Sequence, residues 1–183
     1  METAEKSAFL FDIIGREDDK AYALKLREEL RNSIREHLVD FDTMTVAGAC
    51  QTSQCVAMSV GVFNDDEYDK AYSRLIDFVK EKDDHLDCGM LGLRYVFHVL
   101  FENGDGELAA KLLTSSKSHT FEGMRRVGAT TLWEAFYPDK ADSMNHHFWG
   151  DISGWMIECL AGIAVNPKNT KPTDIHIQPR FID

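Results

Sequence analysis

The sequence predicts an all-α protein that forms part of an α/α toroid, and three observations support that fold class. The 183 residues are 44% apolar, which is enough for the core of about one domain. Apolar residues recur at helical spacing along most of the chain. Charge-rich helices alternate with helices that are almost free of charge, as expected for a solvated outer layer and a buried inner layer.

The alternation starts early in the chain. A short helix is predicted over residues 4–14, ending at Gly15, because glycine readily adopts the left-handed conformation that closes a helix. Glu17 to Leu38 predicts a long amphipathic helix with an acidic start and a basic end, which complements the helix dipole. Residues 40–49 have no helical period and predict a loop or a short extended segment. Gln51 to Val62 carries no charge and predicts a buried helix.

The same alternation continues to residue 165. Asn64-Asp65-Asp66 is a helix-start signal, and a charged helix should follow it to about Lys82. We then expect a charge-poor helix over Met90–Glu102, a charged one over Glu107–Lys117, an irregular stretch at Ser118–Val127 and a charge-poor helix over Phe148–Val165. A closed toroid of six hairpins needs about twice as many helices, so the chain should be part of one. A helical-repeat solenoid with a period of about 40 residues is the structural alternative.

Residues 166–183 differ from the rest of the chain. Three of its four prolines lie there, and Ile175 to Gln178 alternates apolar and polar residues, which predicts a short β-strand. An all-helical body offers that strand no partner. We therefore expect it to pack across the helices or to open a β domain.

Composition excludes several function classes. The net charge of −11 leaves no basic surface for a nucleic acid, so a neutral substrate fits better. The first six residues contain no apolar core of an export signal, and no apolar run is long enough to cross a membrane. The four cysteines lack metal-site spacing and lie in apolar contexts, so we interpret them as small buried side chains.

Residues 128–155 concentrate the groups that a carbohydrate site needs. All three tryptophans of the chain lie there, together with Glu134, Asn145, His146 and His147. Aromatic rings can stack on the C–H faces of a sugar, while carboxylate, amide and imidazole groups can recognise its hydroxyls. If one part of the chain performs chemistry, we expect it to be this one.

Glu134 has two interpretations. A carboxylate beside Trp133, with no cation nearby in the sequence, can accept a proton from water as a general base. Alternatively, Thr131 and Glu134 have the spacing of a capping box, in which the carboxylate accepts the backbone amide of Thr131 at a helix start. The pattern alone leaves both interpretations open.

The neighbouring side chains also have ordinary structural interpretations. Asn145 can cap a helix that begins near Phe148, and His147 can be a partly buried ring bonded to a backbone carbonyl. Trp149 and Trp155 would lie on different faces of one helix, so at least one should be core packing. A metal site would need more ligands than the two histidines at regular spacing, and we expect no metal and no cofactor.

The motif region resembles the bacterial α-L-rhamnosidases, a family of inverting glycoside hydrolases with an (α/α)6 catalytic barrel. The residues that carry the resemblance are Gly128-Ala129-Thr130-Thr131-Leu132-Trp133-Glu134, Ser143-Met144-Asn145-His146, Gly150, Trp155 and Leu160-Ala161-Gly162-Ile163. Looser matches are Gln51-Thr52, His85-Leu86, Gly89, Gly104, Leu108-Ala109 and Pro179-Arg180-Phe181. The likeness extends over most of the chain from about residue 7.

The resemblance implies a domain organisation and a set of roles. Residues 1–165 would be the C-terminal portion of the barrel, and residues 166–183 a linker and the first strand of a following β-sandwich. Glu134 would be the general base, and His146 would contact the rhamnose. We expect the sugar site to be completed by Trp133, Asn145 and Trp149. The implied substrate is a rhamnose-containing oligosaccharide, polysaccharide or glycoside with a terminal α-L-rhamnosyl residue.

The resemblance also implies what this chain lacks. The general acid of the family lies earlier in the barrel, and we find no counterpart in this sequence, so the chain alone should be inactive. Ala135-Phe136 replaces the usual Arg-Trp after the glutamate, and Trp149 is bulkier than is typical at its position. A non-catalytic carbohydrate-binding protein and a helical-repeat interaction module are the alternative functions. Apolar faces left by an incomplete barrel predict self-association.

Overall fold

A computed structural model describes residues 1–117, 120–136, 138–165 and 175–182. The chain divides into two compact units, Met1–Asp77 and Phe78–Asp183. The described α-helices are α1 (Glu2–Ile13), α2 (Glu17–Leu38), α3 (Gln51–Ser59), α4 (Asp65–Glu81), α5 (Met90–Glu102), α6 (Gly106–Thr114), α7 (Phe121–Arg126) and α8 (Asp151–Trp155). The strands are β1 (Val39–Asp40), β2 (Thr45–Val46), β3 (Ile163–Val165) and β4 (Ile175–Ile177).

The first unit begins with a helical hairpin. Gly15 has a φ of +70°, so the predicted left-handed closure of α1 is confirmed. Helix α2 has the predicted bounds and packs along α1. The buried residues of these two helices are alanines, Ala4, Ala8 and Ala23, whose small side chains allow close contact. The rest of α2 is largely solvated, as its charge predicted.

Two arginines of α2 hold the turn between α3 and α4. Arg31 Nε donates to the carbonyl of Gly61 (2.8 Å), and Arg35 Nη1 donates to the carbonyl of Val62 (2.8 Å). Arg35 also forms a two-pronged ion pair with Glu67, at 2.6 and 2.8 Å. Hydrogen bonding from Arg35 is the main cause that lowers the pKa of Glu67 to about 2. The turn is thereby fixed by charged side chains.

A buried amide joins the β1–β2 hairpin to the helices. The two short strands pair antiparallel, which confirms the loop or extended segment predicted over residues 40–49. Gln54 of α3 has no exposed surface. Its Oε1 accepts from the amide of Val46 (3.1 Å), and its Nε2 donates to the carbonyls of Met44 (2.9 Å) and Ala71 (3.0 Å). One side chain thus connects α3, α4 and the hairpin.

The second unit is built on α5, whose predicted bounds are confirmed. Its buried residues include Leu93, Val96, Phe97, Leu100 and Phe101, in agreement with its charge-poor sequence. Helices α6 and α8 pack against it. Trp155 of α8 is 1% exposed, with ring centroids 5.3 Å from Phe97 and 6.0 Å from Phe101. The predicted core role of a tryptophan in this stretch is therefore confirmed.

The prediction of one helix over Phe148–Val165 is wrong. A 3-10 helix spans His147–Trp149, α8 follows, and Met156–Leu160 has π-helical geometry. Gly162, with a φ of +65°, then ends the helical path, and β3 begins at Ile163. Burial is confirmed for Trp149, Ile152, Trp155 and Cys159, whereas Met156, Ile157 and Ile163 are exposed. The β-branched residues at the end of the stretch favour extended structure.

Strand β4 has a partner, contrary to the prediction. It pairs antiparallel with β3, so that Ile163 lies opposite Ile177. A side chain at Gly162 would overlap the carbonyl oxygen of Gln178, so the close approach of the two segments requires glycine there. Whether residues 166–183 open a β-sandwich stays a prediction, since residues 166–174 lie outside the described part of the chain.

Helix α7 lies where an irregular stretch was predicted. Thr120 precedes it, and its hydroxyl accepts from the amide of Gly123 (2.9 Å), as an N-cap does. Glu122 in the first turn and Arg125 in the last turn also suit the helix dipole. The capping signal was present in the sequence and was missed because the helix is short.

Candidate active site

Two backbone stretches of the second unit run side by side and carry the predicted site. The amide of Glu134 donates to the carbonyl of Ser143 (2.8 Å), and the amide of His146 donates to the carbonyl of Leu132 (2.7 Å). The hydroxyl of Thr131 donates to the carbonyl of Met144. These bonds bring together the segments that hold the candidate base and the candidate sugar-binding histidine.

Glu134 is half-buried and does not cap a helix. Its Oε2 accepts a hydrogen bond from the amide of Ser143, at 3.2 Å. Residues 127–136, all of which the structure describes, form no helix, so no helix starts at Thr131. The capping-box interpretation is therefore wrong. The carboxylate instead bonds across the loop between the two antiparallel backbone stretches.

His146 is fixed by its own helix-capping bond. It precedes the 3-10 helix His147–Trp149, and its Nδ1 accepts from the amide of Phe148 (3.2 Å). A neutral imidazole that accepts at Nδ1 carries its proton at Nε2. His146 therefore presents Nε2 as a hydrogen-bond donor. Its cap also shows that the prediction of Asn145 as the cap is wrong.

The residues on either side of His146 are open to solvent. Asn145 is exposed, and its backbone amide donates to Ser143 Oγ (3.3 Å). His147 is also exposed, so the interpretation of this ring as partly buried is wrong. The imidazoles of His146 and His147 are stacked, with centroids 5.2 Å apart. Exposed polar groups thus flank the half-buried His146.

The side chains of Trp133 and Trp149, which lie next to Glu134, are buried. Each is 7% exposed, which leaves little of either ring for stacking on a sugar. Trp149 Nε1 donates to the carbonyl of Glu134 (3.0 Å), while the amide of Trp133 lies 3.4 Å from Met124 Sδ. Direct contact of these rings with a sugar stays a prediction.

An aromatic cluster next to the site was not predicted. The ring of Phe136 lies 4.2 Å from that of Trp149 and 5.4 Å from that of Phe121. The resemblance described above implies a different residue at both Phe136 and Trp149. Nothing in their spacing could have shown the contact, because it depends on how the loop folds back.

Among the described residues, the remaining candidate features are a metal site, a membrane span, the cysteines and a cavity. No group of three or more His, Cys, Asp or Glu side chains among them is placed to hold a metal ion. Nor does any helix there have the length and apolar character needed to span a membrane. Cys55, Cys88 and Cys159 are buried, and Cys50 is partly exposed. A cavity of about 790 Å³ in the first unit is lined by residues that include His37, Asp40, Thr45, Arg74 and Asp77.

Residues 1–160 match the family model described as the bacterial alpha-L-rhamnosidase six-hairpin glycosidase domain. The chain belongs to this family. The match confirms the predicted fold class, part of an α/α toroid, and the resemblance read from the motif region. It spans both the helical alternation and the segment that carries Glu134 and His146.

Individual α-L-rhamnosidases support the same assignment. The chain is 28% identical over 171 residues to one from Formosa agariphila, covering 88% of this chain and 18% of the relative. It is 30% identical over 157 residues to one from Alteromonas sp., covering 80% of this chain and 17% of the relative. The chain therefore spans less than a fifth of the length of these curated relatives.

A solved structure of the family also matches. The crystal structure of Streptomyces avermitilis α-L-rhamnosidase complexed with L-rhamnose superposes with a TM-score of 0.85 and 26% identity. The match covers 97% of this chain and 18% of that enzyme. An α-L-rhamnosidase from Aspergillus terreus, at 17% identity and a TM-score of 0.81, has the same fold over 89% of the chain.

Proposed function

We propose that this chain supplies the general base and part of the sugar site of an α-L-rhamnosidase-type glycoside hydrolase. The observation that carries the proposal is the pairing of the Glu134 and His146 segments by backbone bonds of 2.8 and 2.7 Å. Family membership supports the reaction class, and the geometry supports these two residues as the acting groups. The proposed substrate is a glycoside with a terminal α-L-rhamnosyl residue.

In the proposed reaction Glu134 accepts a proton from water. The water oxygen forms a bond to the anomeric carbon, the glycosidic C–O bond breaks, and the configuration inverts. Glu134 Oε2 is held by the amide of Ser143, and Oε1 is the oxygen that would take the proton. The leaving oxygen receives its proton from a separate general acid.

His146 is proposed to bind the sugar as a donor. Its Nδ1 is engaged by the amide of Phe148, so Nε2–H would donate to a sugar hydroxyl. The exposed amide group of Asn145 would add a further donor and acceptor. These two side chains lie on the same stretch as Ser143, so sugar binding and the orientation of Glu134 would be linked.

The general acid is proposed to lie outside this chain. Inverting enzymes separate acid and base by roughly 6.5–9.5 Å, which leaves room for the attacking water. The resemblance provides the base but no matching acid, so we expect the 183-residue chain to bind sugar without hydrolysing a glycoside.

The first test measures L-rhamnose binding by the whole chain. Tryptophan fluorescence is suitable because all three tryptophans lie in residues 128–155. We expect saturable binding of L-rhamnose, loss of binding in His146→Ala, and no change in Glu122→Gln, which alters a different helix. Absence of binding by a folded wild-type chain would favour a helical-repeat interaction module.

The second test places the chain in a complete barrel. The matched segment of the Streptomyces avermitilis enzyme would be replaced by this chain, and hydrolysis of an aryl α-L-rhamnoside would be measured. We expect Glu134→Gln to reduce turnover about 10²- to 10⁴-fold, with unchanged thermal unfolding. Sugar binding without any turnover by the folded wild-type chimera would favour the non-catalytic carbohydrate-binding alternative.

Self-association is a separate proposal for the isolated chain. Four apolar residues of the α1–α2 hairpin are more than half exposed: Leu10 (59%), Ile13 (64%), Ile14 (63%) and Tyr22 (68%). Exposed apolar residues in close sequence often mark a contact surface. Light scattering should show a mass above that of a monomer. A monomer mass that does not change as the protein concentration is raised would contradict the proposal.

A further inference from the structure

Trp149 contacts the candidate base through the backbone. Its indole Nε1–H donates to the carbonyl oxygen of Glu134 at 3.0 Å, and the ring is 7% exposed. The bond therefore acts on the main chain of the same residue whose carboxylate would accept the proton. The indole nitrogen is therefore turned toward the protein backbone.

Aromatic packing fixes the ring that makes this bond. The Phe136 ring lies 4.2 Å from that of Trp149 with an interplanar angle of 36°. Phe121 of α7 meets Phe136 edge-on at 5.4 Å. Phe136 follows Glu134 closely in the chain, so the cluster anchors the stretch just after the base as well as the indole that bonds to it.

The carboxylate of Glu134 depends on the same backbone. Its Oε2 accepts from the amide of Ser143 (3.2 Å), and the Glu134 amide donates to the carbonyl of Ser143 (2.8 Å). If the Glu134 carbonyl moves, the peptide carrying the side chain moves with it. The distance between the carboxylate and Ser143 then changes.

No regular secondary structure holds this stretch. Residues 131–136 form neither a helix nor a strand, so the backbone bonds of Glu134 to Ser143 and of His146 to Leu132 restrain them without a regular ladder. Single side-chain contacts therefore have a large effect on local geometry. A buried hydrogen-bond donor in a packed ring cluster is the kind of support that keeps a catalytic group in one orientation.

We propose that Trp149 is a positioning residue for Glu134, acting through its bond to the Glu134 carbonyl. The proposal rests on the proposed function, in which Glu134 is the base. It gives Trp149 a role other than stacking on the sugar. The indole nitrogen, not the ring face, is then the group that matters.

Two matched variants separate this role from general packing. Trp149→Phe removes the indole N–H and keeps an aromatic ring against Phe136. Trp155→Phe makes the same change at a tryptophan of the α8 core, 1% exposed, whose indole nitrogen has no hydrogen-bond partner among the described residues. Both lose one ring of a buried indole, so both should unfold at a lower temperature, Trp155→Phe by at least as much as Trp149→Phe.

Amide hydrogen exchange of the whole chain tests the contact. Loss of one hydrogen bond should increase exchange at the amides of Glu134 and Ser143 roughly fivefold in Trp149→Phe. In Trp155→Phe these two amides should exchange within about twofold of the wild-type rate. Calorimetric titration with L-rhamnose should show a severalfold weaker Kd for Trp149→Phe only.

The outcomes distinguish this proposal from the proposed function. Unchanged exchange at Glu134 and Ser143 in Trp149→Phe overturns the positioning role, whether or not sugar binds. Faster exchange with unchanged L-rhamnose affinity overturns it as well, because the contact would then be only structural. Failure of the wild-type chain to bind L-rhamnose instead overturns the proposed function, and the role of Trp149 in a sugar site falls with it.

Discussion

The α3–α4 turn and the Glu134 loop are held by the same kind of contact, but in different settings. Arg35 donates to the carbonyl of Val62, and Trp149 donates to the carbonyl of Glu134. The turn at Val62 lies between two helices that have their own backbone bonds. The Glu134 carbonyl lies in a stretch without helix or strand, and only its partner Trp149 belongs to a short 3-10 helix.

This difference predicts different consequences when a contact is removed. In the first unit, loss of a side-chain bond should reduce global stability while the helices keep their positions. In the loop, loss of a bond should change local geometry with little effect on global stability. Stability and site geometry are therefore expected to respond to separate sets of residues.

The largest expected effect on stability is at Gln54. Gln54→Met keeps the length of the side chain but removes its bonds to Val46, Met44 and Ala71. Buried backbone groups then lose their partners, and we expect a loss of about 3 kcal/mol in the free energy of unfolding, measured with urea. Gln51→Met makes the same substitution at another buried glutamine of α3, so the free energies of unfolding of the two variants can be compared within one helix. L-rhamnose binding by the folded variant should be unchanged.

A smaller effect, dependent on pH, is expected at Glu67. Its folded-state pKa is about 2, below the ordinary value of 4.5, so its contribution is present above pH 4.5 and lost as the pH falls toward 2. Glu67→Gln should be less stable by about 2 kcal/mol near pH 7, since the pair with Arg35 is mostly buried. Its stability should approach that of the wild type near pH 2.

Glu122 is the matched control for that pH dependence. Hydrogen bonding from Arg125 is the main cause that lowers the pKa of Glu122, also to about 2. Both arginine partners of Glu122 are exposed, so solvent screens the interaction. Glu122→Gln should leave the urea midpoint unchanged at neutral pH. Equal losses of stability in Glu67→Gln and Glu122→Gln would show that burial of the Arg35–Glu67 pair does not increase its contribution to stability.

Apart from the Glu122 control, the smallest expected effect on stability is at Thr131, in the loop. Thr131→Val keeps the shape of the side chain and removes the donor to the carbonyl of Met144. Because Thr131 is exposed, the loss should be about 0.5 kcal/mol. Exchange of the His146 amide should nevertheless increase severalfold, and a change confined to global unfolding would contradict the comparison.

The sequence predicted the long helices well because their signals are local. Helices α2 and α5 have the predicted bounds, and the charge-poor α3 and α5 are the ones with many buried residues. Near the end of the chain, a charge-poor stretch of helical length was a poor guide to secondary structure. There β3 and β4 form from two segments that are distant in sequence, and hydrophobicity alone does not distinguish a buried helix from a strand.

Sequence by itself determined the family, the helical character and the stretch in which Glu134, Asn145 and His146 lie, because residue type, period and motif are local properties. Tertiary structure decided that Ser143 meets the carboxylate, that His146 and not Asn145 is the cap, and that Trp149 bonds to the Glu134 carbonyl. Those contacts join parts of a loop without helical or strand period. Their partners are therefore set by how the chain folds back on itself and by which polar groups burial requires to be satisfied.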